Sequence, residues 1–166
     1  MSIFGMFLLA TGALFALSAY CARRDFEQHG DTLSAAALLL GVLELSVICR
    51  SLGGGPMGLG ETAWLAVVDA IAAGMMLYLY TTRKAWWKLI LLVTFVADMV
   101  AHYAAHRGWY AGNDTRSGYV MALNAIGVVQ LLALGWPGVR CVAGVLNVHL
   151  SHHRPSHAWV RTGTPG

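Results

Sequence analysis

The sequence predicts an all-α integral membrane bundle of five transmembrane helices, N-terminus outside and C-terminus inside, plus a short C-terminal interfacial helix. Three observations carry this expectation. Charged residues make up 11% of the 166-residue chain, less than half of the roughly 25% usual in a soluble domain. Hydrophobic residues make up 57%, and the mean hydropathy is +0.59. Five segments, 2–22, 32–49, 62–80, 86–106 and 117–135, approach the about twenty largely apolar residues that a span requires.

The first segment, MSIFGMFLLATGALFALSAYCA, has no Lys or Arg ahead of its apolar run and is long for a signal-peptide core. LSAYC approaches a lipoprotein box, but Tyr20 stands where a small residue should precede the cysteine. It is therefore expected to remain as an uncleaved first span. The connection RRDFEQHGD follows, with Asp25, Glu27 and Asp31 expected in solvent. RSLGGGPMGLGE joins spans two and three; its glycines suit a flexible turn and lack the GKS/T ending of a phosphate loop. TTRKA and RGWYAGNDTR make the remaining links. Pro137 is expected to break the fifth helix. VRCVAGVLNVHL (139–150) is too short to cross and reads as the interfacial helix. Residues 1–150 thus form one transmembrane domain, followed by a polar, His-containing tail, 151–166.

Orientation follows from the basic residues. With the N-terminus outside, the cytoplasmic segments hold Arg23, Arg24, Arg83, Lys84, Lys88, Arg140, Arg154 and Arg161, against Arg50, Arg107 and Arg116 outside. Trp64, Tyr78, Tyr80, Trp86, Trp87, Trp109, Tyr110, Tyr119 and Trp136 lie near span ends, as interfacial aromatics do.

Several function classes are disfavoured. A net charge of +3, scattered rather than patched, argues against nucleic-acid binding. Cys21, Cys49 and Cys141 contain no CxxC and are expected to be buried thiols acting as small apolar residues. No nucleophile elbow, HExxH or dinucleotide fingerprint is present, so the chain is expected not to be an enzyme. A bis-His haem would need a second subunit, because span 4 alone carries histidines. The tail's His152, His153 and His157, with His149 and Cys141 nearby, lack fixed ligand spacing and suit a solvated tail better than a metal-collecting one.

The candidate functional residues are the polar groups inside the spans: Glu44, Asp69, Asp98 and Asn124. Counted from the predicted interfaces at 1.5 Å per residue, all four fall in one slab in the outer half of the membrane. Charges at mid-membrane cost about 2.5–3.5 kcal/mol each and usually face a bundle interior or a wet cavity. Three carboxylates in one layer need compensation, so at least one is expected to be protonated or to neighbour a bound cation. In TFVADMVAHYAAHRG, Asp98, Ala101, His102, Ala105 and His106 share one helical face. Span 3 offers a small-residue stripe, Ala66, Ala70 and Gly74, for a close neighbour. Gln130, six residues from Asn124, is expected on a different face, towards another subunit.

Three readings of the Asp98–His102–His106 ladder stay open: a proton or cation pathway, a transition-metal site on those three residues, or hydrogen-bonded packing between helices. No resident cofactor is expected beyond that possible metal ion. Five spans bury little within one subunit, so the expected partners are the lipid bilayer and either a homo-oligomer or a larger membrane complex.

YVMALNAIGVVQLLALGWPG, with AWWKLILLVTFVADMVAH, resembles small multi-pass membrane proteins encoded by bacteriophages. The resemblance implies a bacterial inner membrane or viral envelope and no catalytic residues. The expected function is channel- or transporter-like cation handling. The alternative is a membrane-embedded anchor or scaffold subunit of a larger, viral or phage, assembly, with the polar layer as subunit glue.

Overall fold

In a computed structural model, which describes residues 3–52, 60–110 and 113–152, the described chain is helical. The helices are α1 (Ile3–Arg24), α2 (Phe26–Ser51), α3 (Glu61–Thr82), α4 (Trp86–His106) and α5 (Asn113–His152). Each is long and apolar enough to cross a membrane. Consecutive helices pack side by side, α5 returns to α1, and the five close into a ring with an additional α2–α5 contact across it.

Helix boundaries differ from the sequence expectation at two places. The expected loop RRDFEQHGD is almost wholly helical, with only Asp25 between α1 and α2. Gly30, within that segment, receives the ring of Phe26 one turn earlier; a Cβ there would lie 3.3 Å from that ring. Second, Pro137 does not break α5, which runs through it for 40 residues. No separate interfacial helix precedes residue 152. Proline removes one helical hydrogen bond, but on either side of it Ala133, Leu134 and Gly138 are buried. In hydrocarbon, moreover, the helix satisfies the other backbone groups that a break would expose. The tail beyond His152 and the glycine segment 53–59 lie outside the described residues.

Two side-chain expectations are also corrected. Cys21 is disulfide-bonded rather than a free thiol, whereas Cys49 is free and buried. Ala70 and Gly74 are exposed, so the stripe on α3 is not its packing face; Leu65, Val68, Asp69, Ala72, Ala73 and Met76 are buried instead. The small residues that permit close approach are Ala72 and Ala73 of α3 with Ala35 and Ala36 of α2, all in one core cluster.

That cluster, completed by Leu39, Met76, Trp87, Leu91, Phe95, Ala133 and Leu134, occupies the half of the bundle nearest the α1–α2 and α3–α4 connections. Beneath it, at this basic end, Lys88 is 1% exposed. Its Nζ donates to Asp31 Oδ2 at 2.5 Å, to the Leu79 carbonyl at 2.9 Å and to the Arg83 carbonyl at 2.8 Å. Asp31 is therefore an ion-pair partner and not a solvated loop residue. The ammonium also sits at the C-terminal end of α3, a favourable place for a cation. Arg83 adds a bond from Nη1 to the Glu27 carbonyl.

Replacing Lys88 by Met keeps the apolar stem and removes the donor to the Asp31 carboxylate and the Arg83 carbonyl, while the Leu79 carbonyl keeps Thr82 Oγ1 and the Arg83 N–H. Thermal unfolding in detergent should show a loss of about 1–3 kcal/mol. Asp31→Asn should cost less, because the Asp31 side chain keeps 26% exposure.

Candidate functional site

On the other side of the core cluster the helices separate around a cavity of about 320 Å³. Every helix contributes to its wall: Phe7 and Thr11 from α1, Leu39, Val42, Leu43 and Ser46 from α2, Leu65 and Asp69 from α3, Asp98 and His102 from α4. α5 supplies the longest stretch, from Tyr119 to Leu131, including Asn124, Gly127 and Gln130. On each of α2 to α5 the core residues lie towards the basic end and the cavity residues away from it. The cavity is thus backed by an apolar plug on that side.

The polar groups form two cross-helix contacts and one close approach. Gln130 Nε2 donates to Asp98 Oδ2 at 2.8 Å, joining α5 to α4. Tyr119 Oη and His102 Nδ1 are 2.5 Å apart, joining the same two helices one level further from the plug. His102 Nε2 stands 3.4 Å from Asp69 Oδ2 on α3. This last approach has ion-pair reach without hydrogen-bond geometry, so Asp69 Oδ2 remains a buried acceptor with no hydrogen-bond partner. With the Tyr119 hydroxyl donating to Nδ1, the remaining imidazole proton sits on Nε2 and faces Asp69. That is the tautomer that suits both neighbours. The result is a Tyr119–His102–Asp69 line running from α5 through α4 to α3.

The structure brings together Asp69, Asp98, His102 and Asn124 on one cavity. It does not bring in Glu44 or His106, which are both exposed. Glu44 stands at the expected level, since its neighbours Leu43 and Ser46 line the cavity, but it is turned outwards. His106 closes the last turn of α4, beyond the cavity wall. The proposed metal trio Asp98, His102 and His106 is therefore not assembled, and among the described residues no three His, Cys, Asp or Glu side chains are placed to hold a metal ion.

Sequence reasoning misplaced Gln130 and gave Tyr119 an interfacial role only. Gln130 is 5% exposed and binds Asp98 within the chain, not in another subunit. The available sign was the α5 stripe Val120, Leu123, Asn124, Gly127, Gln130 and Leu131, which is too broad for a pairwise six-residue spacing to divide. Thr94 and Ser46 bond their own helix, to the Leu91 and Val42 carbonyls.

Compared with known proteins, no family model, curated protein or solved structure matches the chain. The geometry must therefore speak for function by itself.

Gln130→Leu removes the donor to Asp98 inside the membrane and should cost about 1–3 kcal/mol. Glu44→Gln, on an outward-facing acid at the same level, should stay within about 0.5 kcal/mol. Paired thermal melts of the two variants in one detergent check both values.

Proposed function

We propose that this chain is a non-enzymatic, transporter-like membrane protein that handles a cation at the Asp69–His102–Asp98 cluster. The observation that carries the reading is Asp69, an acid of the cavity wall whose Oδ2 is buried without a hydrogen-bond donor and faces an imidazole 3.4 Å away. An acceptor left open in a nearly apolar interior is costly unless a proton or cation occupies it. The proton is favoured over a transition metal, because the ligand trio that a metal would need is not assembled. The apolar plug argues against an open channel and for a site that communicates with one side at a time.

Flux in proteoliposomes, followed with proton- and zinc-sensitive dyes, tests this. Wild type should carry protons, and Asp98→Asn and Asp69→Asn should abolish the flux while running at the wild-type oligomeric size. Silence from wild type and variants alike would remove the reading.

One observation favours the anchor alternative. Glu44 is exposed at cavity level, beside exposed Leu45, Val47 and Ile48, where a charge facing lipid costs about 2.5–3.5 kcal/mol. A second copy or a membrane partner covering this face would relieve that cost. On that reading Glu44→Gln shifts the oligomeric state in detergent, and no variant alters flux.

The N-out orientation, which places the cavity in the outer half of the membrane, rests on the basic residues. Disulfides persist in oxidising compartments, and the one at Cys21 would instead put that end outside. Labelling intact cells with a membrane-impermeant maleimide separates the two. N-out predicts that Trp109→Cys reacts and Lys84→Cys does not; the reverse pattern would move the cavity to the inner half.

A further inference from the structure

The cavity is too large for its proposed cargo to be only a proton. At about 320 Å³ it reaches the lower end of the roughly 300–1,000 Å³ range of small-molecule pockets, and it would take on the order of ten waters at about 30 Å³ each. Its wall is divided in chemistry. Phe7, Leu39, Leu43, Leu65, Leu123 and Leu131 supply apolar surface from four helices. The polar side is weighted towards acceptors: the Asp69 and Asp98 carboxylates and the Asn124 amide oxygen.

Of the donors on that side, those of Gln130 and His102 are already directed, while the Asn124 amide can both donate and accept. Gln130 gives its Nε2 proton to Asp98, and the imidazole of His102 lies between Tyr119 and Asp69. What remains unsatisfied is the Asp69 carboxylate, on a wall residue 3% exposed whose buried Oδ2 has no hydrogen-bond partner. A ligand completing this site must therefore bring an N–H donor, preferably charged, on an apolar body. A carbonyl compound or an anion would meet carboxylates and leave Asp69 unsatisfied. A bare metal ion would fill only a small part of the space.

We infer that the cavity is a binding site for a small lipophilic primary amine, its ammonium on Asp69 and its apolar body among Leu39, Leu43, Leu65 and Leu123. This deepens the cation-handling reading and rests on it: the carboxylate that would exchange a proton is the one that would hold the ammonium. Ammonium and proton then compete for one site.

Phenethylammonium is a suitable probe, with 3-phenylpropanol as its neutral counterpart of similar size. Binding is measured by calorimetry on the full chain in phosphatidylcholine nanodiscs, where partition into lipid is non-saturable and separates from site occupancy. Wild type should bind the amine saturably, and the alcohol should not compete. Asp69→Asn should weaken binding about tenfold or more, as the loss of one charge-assisted hydrogen bond to a buried acceptor implies. Leu123→Trp, which fills the apolar side and keeps both acids, should block binding, so the inference stays testable if Asp69→Asn fails to fold. Equal binding by Asp69→Asn, equal competition by the alcohol, or no saturable binding to wild type would each overturn it. Proton flux that depends on Asp98 without amine binding would overturn this inference alone. Amine binding by a protein that moves neither protons nor zinc would overturn transport and leave a receptor site.

Discussion

The buried ammonium of Lys88 is the constraint on which the rest of the bundle hangs. A charge taken out of water costs several kcal/mol even after relaxation, so its three acceptors are obligatory. They come from the second turn of α2, the end of α3 and the link to α4, and satisfying them sets those three helix ends at one height. Everything further along follows from the constant rise of the helix. Asp98 is ten residues beyond Lys88, and Asp69 is ten residues back from Leu79; both lie about 15 Å from the ammonium. On α2, Val42 and Leu43 stand at a matching distance from Asp31. The two acids meet at one level because a cation at the opposite end fixes the register.

Between that cation and those acids lies the apolar cluster, and its position gives the cavity its character. Ala35, Ala36, Ala72 and Ala73 let α2 and α3 approach closely, while Trp87, Leu91 and Phe95 fill the space towards α4. Above this layer the inward side chains become polar and the helices no longer fill the ring. Polar contacts there run between α4 and both neighbours: Gln130 and Tyr119 from α5, Asp69 from α3. With little water to screen them, such groups interact strongly, and a lone acceptor is exposed to the same low dielectric. The packing cluster and the open site are therefore consequences of one arrangement. The first fills the bundle towards the basic end, and the second gathers the acidic groups on the other side.

How much of this could be read from the chain depends on which coordinate is asked about. Helix count and depth are one-dimensional properties of hydropathy and spacing, and they placed Asp69, Asp98 and Asn124 at a common level. Rotation about each helix axis depends on which neighbour it meets, and there the sequence falls short. Glu44 is about 100° around α2 from Leu43, enough to turn one outward and the other into the cavity. His106 follows the heptad-like spacing of Asp98 and His102 but lies past the end of the wall. Local punctuation misled for a related reason. Gly30 and Pro137 are breakers by intrinsic preference, yet Phe26 packs over the first and the core holds α5 on both sides of the second. Tertiary context outweighed the local rule in each case. Asp31 was taken for a solvated loop acid because its partner, fifty-seven positions away, leaves no trace in the local sequence.

Ring parity explains why α1 and α5 pack as they do. Chain neighbours in a bundle run antiparallel, and an odd ring must contain one parallel pair, here α1 with α5. The contacts keep a nearly constant offset: Phe7 meets Gly127, Leu14 meets Gly135, and Leu17 meets Gly138. A parallel pair has no hairpin between its members, and side-chain packing takes a share in holding this seam. The glycines make that possible, since a Cβ at Gly127 would lie 3.1 Å from the Phe7 ring and one at Gly138 3.2 Å from Leu17. Small residues at such a seam let backbones approach where lipid supplies no hydrophobic drive. The disulfide at Cys21 tethers α1 near its C-terminal end, whereas the cavity level lies towards the other end of the helix, where Phe7 covers Gly127. The ring is thus best secured beside the apolar plug and least secured where its charged site lies. A ring secured at one end can part at the other without loosening the core.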